Sequence, residues 1–405
     1  MCDNRASEAL LHFIWQFRYF NHRELVTEAG DPLFIHYPGD PNTNQGPDFR
    51  DARITIGDTL LEGPVELHLR TTDWLRHGHT GDPHFLNVIL HIVWENDTAD
   101  PPGDIPVLVL NNRIPTTLLP RYQQFMTGRT FVPCERLLSA AKPAAHIAWP
   151  AFRETLLLQR LSHRTEFIRS LIDENNPHWD ETIFQLIARS LGQPVNTGAF
   201  LAIAQSFSLS FLLRRRADPA RLESLFRAAS GSLEHPLSFS RMRPAHQPPV
   251  RLGQLAALLT RFTGWFTILI ESDRPAALFK TLDVKGLGLQ TKYSILINAH
   301  IPLLYAYSIL RQEKRQGEKA LRWLESIPSE SNSITRRWRQ LGLPAVTAAD
   351  TQALLELRKN HCSEKKCLDC AIGQTLLTAN SAAPLRPSPA SENRPLPPYR
   401  DGCCT

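Results

Sequence analysis

The first 141 residues contain no lysine, so any positive charge this stretch brings to a reaction comes from arginine or histidine. Arginine stays protonated and can only stabilise negative charge, whereas histidine near neutrality can act as a base or a ligand. The start of the chain, Met1-Cys2-Asp3-Asn4-Arg5, lacks the basic-then-apolar order of a secretory signal, and no long apolar run offers a convincing membrane span. The nearest candidate, Tyr293 to Leu310, has eighteen residues without a formal charge but is interrupted by Asn298, His300 and Pro302, and reads as a buried, kinked helix. These absences point to the cytoplasm. Seven cysteines are too few and too clustered for a disulfide framework, and three of them, Cys362, Cys367 and Cys370, fall within nine residues. Such spacing favours metal or cluster ligation. No repeat of fixed period is present, which excludes a solenoid.

A chain of 405 residues with 42% hydrophobic content has room for two or three domains and an ample core. Its charge is unevenly placed. Residues 1–141 hold 11 Arg and 18 acidic residues, a balance of −7, while residues 142–405 hold 34 basic and 22 acidic residues, a balance of +12. An acidic front and a basic rear fit a cation site beside a polyanion-binding surface, with nucleic acid as the natural partner.

The patterning predicts an α+β protein. A helix is expected over Glu8–Phe20 from the recurrence of Leu11, Ile14, Trp15 and Tyr19. Strand-like pieces follow at Leu33–His36, Ala52–Ile56, Leu60–Leu69, Val88–Trp94 and Val107–Leu110. Gly57-Asp58 between two alternating runs signals a hairpin that makes its flanking strands antiparallel neighbours. From about residue 146 the pattern turns helical: Phe152–Asp173, Asp180–Leu191, a helix opened by Asp218-Pro219, then Arg251–Ile270, Ala276–Leu282, Thr291–Gln312, Glu318–Ser326 and 349–358. The expected domains are therefore 1–141, mixed α/β; 142–378, basic and all-α with the cysteines; and 379–405, a Pro/Ser/Ala-rich disordered tail.

The chemistry gathers in residues 46–95. Asp48 opens one strand of the predicted hairpin, and Glu66 and His68, two apart on the next, share a face. Carboxylates converging near a strand end can hold Mg²⁺ or Mn²⁺, an arrangement suited to phosphodiester hydrolysis rather than hydride or acyl transfer. His68, His77, His79, His84 and His91 place five of the fifteen histidines within twenty-four residues. His77, His79, Asp82 and His91 are accessory candidates for metal, water or phosphate. Farther on, Cys362, Cys367 and Cys370 need a fourth ligand, with His361 adjacent and Cys134 remote; Zn²⁺ or an iron–sulfur cluster would suit them. Lys285-Gly286-Leu287-Gly288, with Lys292, weakly resembles the hairpin of helix-hairpin-helix proteins, which offers backbone N–H groups to a phosphate.

Pro47-Asp48 followed by Glu66-Leu67-His68 resembles the PD-(D/E)XK nuclease superfamily. The resemblance implies a restriction-endonuclease-like fold in the N-terminal domain, with Asp48 and Glu66 as ligands of Mg²⁺ or Mn²⁺. This chain departs from the pattern where the family has lysine: His68, as general base or third ligand, or Arg70, as electrostatic stabiliser, would take its place. Leu11-His12-Phe13-Ile14-Trp15, Asn44-Gln45-Gly46-Pro47-Asp48-Phe49, Val65-Glu66-Leu67-His68, Thr72-Asp73-Trp74 and the late cysteines together also resemble an uncharacterised bacterial domain-of-unknown-function family. The function expected is metal-dependent cleavage of a nucleic acid. The alternative is a non-catalytic nucleic-acid-binding or scaffold protein on a degenerate nuclease fold, which the missing lysine favours.

Overall fold

The computed structural model describes residues 6–379 except positions 102, 129, 141, 175–177, 234–235 and 240–243. The chain divides into two compact units, one of residues 1–145 and 365–405, the other of residues 146–364. The segment from Lys365, expected with the helical half, thus belongs to the N-terminal unit. The expected tail lies, beyond Ala379, outside the described residues.

The N-terminal unit opens with α1 (Glu8–Gln16), capped by the Ser7 hydroxyl accepting from the Leu10 N–H. Leu10, Leu11, Phe13, Ile14 and Trp15 make its broad buried stripe. Apolar periodicity continues to Phe20, but Arg18 takes a left-handed φ of 51° and the helix stops short.

Strands β1 (Leu33–Tyr37), β2 (Asp40–Pro41), β3 (Phe49–Ile56), β4 (Thr59–Arg70), β5 (Leu90–Glu95) and β6 (Val107–Val109) form one sheet. Its order is β1-β3-β4-β5-β6, with β2 also on β3. β1, β3 and β4 are antiparallel, and the hairpin falls at Gly57-Asp58, where Gly57 takes a φ of 57°. β5 and β6 then add parallel to β4. Leu90, His91, Ile92 and Val93 are all buried, as expected of an inner strand covered on both faces. The crossover from β4 to β5 carries only the short α2 (Asp73–Arg76) and the histidine loop, while α1 packs on β4.

One β-bulge sets the site. Phe49 pairs with Val65 and Ala52 with Gly63, so β3 gains a residue between them, at Asp51 with a φ of 58°. The bulge bends β3 just after Asp48. Opposite it, a Cβ at Gly63 would lie 2.7 Å from Ile89 Cγ2, so any side chain there would force Ile89 to shift. After β6 come α3 (Leu118–Thr127) and α4 (Glu135–Ala140), and α3 meets the returning helix Ala371–Thr378; Arg121 Nη1 donates to Leu377 O at 3.1 Å and the Tyr19 hydroxyl to Thr378 O at 3.3 Å.

The helical unit follows along α5 (Lys142–Glu174) and α6 (Trp179–Leu191). Asp218 caps the next predicted helix start by accepting from the Arg221 N–H at 3.0 Å, with Pro219 in the first turn. The single helix expected over Arg251–Ile270 is instead two, Pro248–Thr260 and Trp265–Glu271, because Gly264 at φ 80° lets the axis bend by 74°. Ala276–Leu282 is replaced by a 3₁₀ segment, Pro275–Lys280. Leu289–Leu310 is long and apolar enough by length and composition to cross a membrane, yet 61% of its most apolar window is buried. Its expected kink is a π-helical turn at Leu296–His300.

Part of the basic excess is internal. Arg160 Nε donates to Gln352 Oε1 at 2.7 Å and Nη1 lies 3.5 Å from Glu356 Oε2; Arg164 donates to Ile297 O at 3.1 Å and to Asn298 Oδ1 at 2.7 Å. Arg153 pairs with Glu325 at 2.7 Å and with Asp350. These guanidiniums are spent on the fold, so the +12 balance overstates the charge available to a polyanion.

Candidate metal centre

Antiparallel pairing of β3 with β4 sets Asp48 opposite Glu66, and the two are hooked reciprocally. The Asp48 N–H donates to Glu66 Oε2 and the Leu67 N–H to Asp48 Oδ2, both at 3.0 Å. The strand period of two turns Glu66 and His68 to one face, and the parallel register sets His91 beside Glu66 on that face. The crossover loop then brings His79 over the same carboxylate. His68 Nε2 lies 3.5 Å and His79 Nε2 3.3 Å from Glu66 Oε1, and neither buried nitrogen makes a hydrogen bond. The donor atoms of His68, His77 and His79 fall within 4.8 Å of one another. A cavity of about 410 Å³ opens onto them, bordered also by Asp48, His12 and Glu8.

Burial sets the protonation. Glu66, 5% exposed, has its pKa pushed up to about 8, first by desolvation and then by the Asp48 charge. His68 is driven down to about 2 and His91 to about 4, both chiefly by burial and then by neighbouring histidines, and His79 is lowered for the same reasons. Neutral imidazoles with lone pairs aimed at a carboxylate are what a divalent ion binds.

His68 Nδ1 is 2.9 Å from His91 Nε2, both residues being 1% exposed. For His68 Nε2 to present a lone pair, its proton must sit on Nδ1 and be donated to His91. In that tautomer His91 would orient His68, and its own ring packs against Trp74 at 5.2 Å between centroids. His91→Ala is expected to weaken binding of Mn²⁺ or Co²⁺ by about 10- to 100-fold in a competition titration. Unchanged affinity would remove this role.

Not every predicted residue joins the cluster. Arg70 donates from Nε to Glu95 Oε1 at 3.0 Å and does not border the cavity, so it is not placed to stabilise charge there. Asp82 is occupied with His84, at 2.8 Å, rather than with the centre. Two residues the sequence reading passed over are at the site: His12 Nε2 lies 3.2 Å from Asp48 Oδ2, and Glu8 sits one helical turn before it on α1. Their i, i+4 spacing on a helix leading into a sheet was the available signal. Phe85, also unflagged, stacks on His79 with centroids 3.8 Å apart.

Of the late cysteines, Cys367 and Cys370 are buried in the N-terminal unit together with Cys134. Cys362 and His361 lie on the π-helical turn Leu357–Cys362 that ends the helical unit. In the glycine-rich turn, Gly286 takes a φ of 80°, Gly288 precedes the helix, and Lys292 is paired with Asp283 at 2.9 Å. Gln254 Nε2 donates to Gly286 O at 2.9 Å, an internal brace for the Lys285–Gly288 turn.

Neither the curated proteins nor the solved structures contain a match to this chain, so the nuclease resemblance gains no support from a homologue. A family model described as "Protein of unknown function (DUF2851)" matches residues 8–238, which include every residue of the histidine–carboxylate cluster and more than half of the chain. The chain belongs to that family of unknown function.

Proposed function

We propose that the N-terminal unit holds a divalent metal ion through Glu66, His68 and His79, with His77 and Asp48 beside it, and hydrolyses phosphodiester bonds in a nucleic acid. The observation that carries this reading is the pair of buried, unbonded imidazole nitrogens converging on one carboxylate oxygen. Leaving such groups unpaired costs about 1–3 kcal/mol each, a cost that a bound cation removes. The strand order adds support: a helix, an antiparallel meander, a crossover and a parallel strand, with the acids at the β3 start and on β4, match what the nuclease resemblance implies.

The donor set refines the ion. Mg²⁺ demands oxygen ligands, whereas a nitrogen-rich site favours Mn²⁺, Fe²⁺ or Zn²⁺, so Mn²⁺ is the better of the two expected ions. Such an ion supplies an activated water and neutralises charge on the phosphate. With its pKa near 2, His68 is too weak a base at neutral pH and serves as a ligand. With Arg70 turned to Glu95, His77 and His12 are the side chains at the cavity edge that would face a bound phosphate.

The non-catalytic reading rests on the missing lysine and the diverted Arg70. One experiment separates them: mixed DNA and RNA incubated with Mn²⁺ and wild type or Glu66→Ala, with binding measured at low and high salt on the same samples. Cleavage by wild type alone, with salt-sensitive binding in both, is the expected result. Binding without cleavage would leave the scaffold; neither would end both readings.

A further inference from the structure

We propose that the nucleic acid met by the metal centre is single-stranded, and that a second cavity beside the centre takes the unpaired base of the nucleotide whose phosphate faces the ion. This rests on the metal-dependent reading above and names its substrate class. The second cavity, of about 510 Å³, falls within the range of about 300–1,000 Å³ usual for small-ligand sites. It shares His79 and Phe85 with the cavity of the metal centre, so a ligand in one lies against the same two rings as a ligand in the other. Those rings are stacked with their centroids 3.8 Å apart. The crossover from β4 to β5 builds the second cavity through successive turns, the Phe85 N–H donating to Asp82 O at 3.0 Å and the Val88 N–H to Phe85 O at 3.2 Å. Trp74 on α2 meets Phe85 edge-on, 6.0 Å between centroids, and with Val88 they form a buried cluster against which Ile105 packs.

The lining selects a base. Trp74, Phe85, Val88 and Ile105 give aromatic and aliphatic walls, and Leu86, 70% exposed, stands where the cavity meets solvent. Bases of any identity stack on such rings, whereas a phosphate would bring its charge against apolar surface. Asp104 is the carboxylate on the border of this cavity. It repels a phosphate but can accept from the N–H that every base carries on its Watson–Crick edge. In a duplex that edge is taken by the partner strand and the faces by neighbouring bases, so a base that has left its stack is the one able to enter. The two cavities thus divide a nucleotide by charge: imidazoles and an ion for the phosphate, apolar rings and a carboxylate for the base.

The test measures binding of full-length wild type and Leu86→Ala, in EDTA, to one mixed-sequence oligonucleotide as a single strand and annealed to its complement. A single strand carrying 5-bromouracil at its pyrimidine positions is photo-crosslinked to wild type and the attachment mapped by mass spectrometry. Wild type is expected to bind the single strand at least about 5-fold more tightly than the duplex. Leu86→Ala should narrow that preference by roughly threefold while keeping the wild-type affinity for Mn²⁺. Crosslinks are expected within residues 74–89 or 103–106, a result that does not depend on whether the variant folds. Equal affinity for the two forms, or crosslinks confined to other segments, would overturn the proposal. Cleavage in Mn²⁺ separates it from the reading beneath it. Cleavage with no preference for the single strand would overturn the base cavity alone, whereas preference and crosslinks without cleavage would uphold the cavity and end the phosphodiesterase reading.

Discussion

Metal-free Glu66→Gln is expected to be more stable than wild type, with an advantage that grows as the pH rises from about 5 to about 9. The sign follows from the direction of the shift. Glu66 has a folded pKa of about 8 against its ordinary 4.5, so between those values the native state keeps a proton that the unfolded chain releases. Its contribution is fully present below the unfolded pKa and is lost as pH climbs through the folded one. At about 1.4 kcal/mol per pH unit the swing is on the order of 5 kcal/mol, which the neutral amide does not suffer. His68 and His91, depressed to about 2 and about 4, act in the opposite sense: their contribution is present above the ordinary histidine pKa and is lost on acidification. Both are common to the two proteins, so the difference isolates Glu66. Saturating Mn²⁺ should reverse the order, raising the melting temperature of wild type and leaving Glu66→Gln unmoved. A pH-independent difference, or equal stabilisation by Mn²⁺, would remove the proposed centre.

The other large effect is expected in the helical unit. Glu356 is 1% exposed; it faces Arg160 at 3.5 Å and His163 Nδ1 at 2.9 Å, and accepts from Asn360. Arg160 is lowered in pKa chiefly by burial, and Arg164 beside it is driven down to about 9 by the same cause. Removing the carboxylate strands these cations in the interior, so Glu356→Ala should cost about 3–5 kcal/mol in denaturant unfolding. Glu356→Gln should lose less, because the amide keeps an acceptor for His163 and Asn360. A loss under 1 kcal/mol for the alanine variant would mean that water reaches Arg160 once the carboxylate is gone.

The local features of this chain were legible in its residues. The Gly57-Asp58 turn, the shared face of Glu66 and His68 and the Asp218-Pro219 helix start rest on rules that span a few positions, and the backbone obeys them. The meeting of Asp48 with Glu66 was also readable, because a short hairpin fixes its register. What the side chains do once buried was not. Sequence offered His77, His79 and Asp82 as accessory residues and Arg70 as a charge stabiliser, but folding kept the two histidines at the cavity beside Glu66 and gave Asp82 to His84 and Arg70 to Glu95. His12 reached Asp48 from a helix whose partner strand no local pattern names. Spacing tied Cys362 to Cys367 and Cys370, while long-range packing put the last two in the same unit as Cys134 and returned the final helix to that N-terminal unit. Sequence alone determined the strands, turns and caps, because steric and hydrogen-bonding preferences act over a few residues. Only the tertiary structure decided which polar groups lose their water together, because that depends on contacts between segments far apart in the chain, and desolvation sets both their charge and what they can bind.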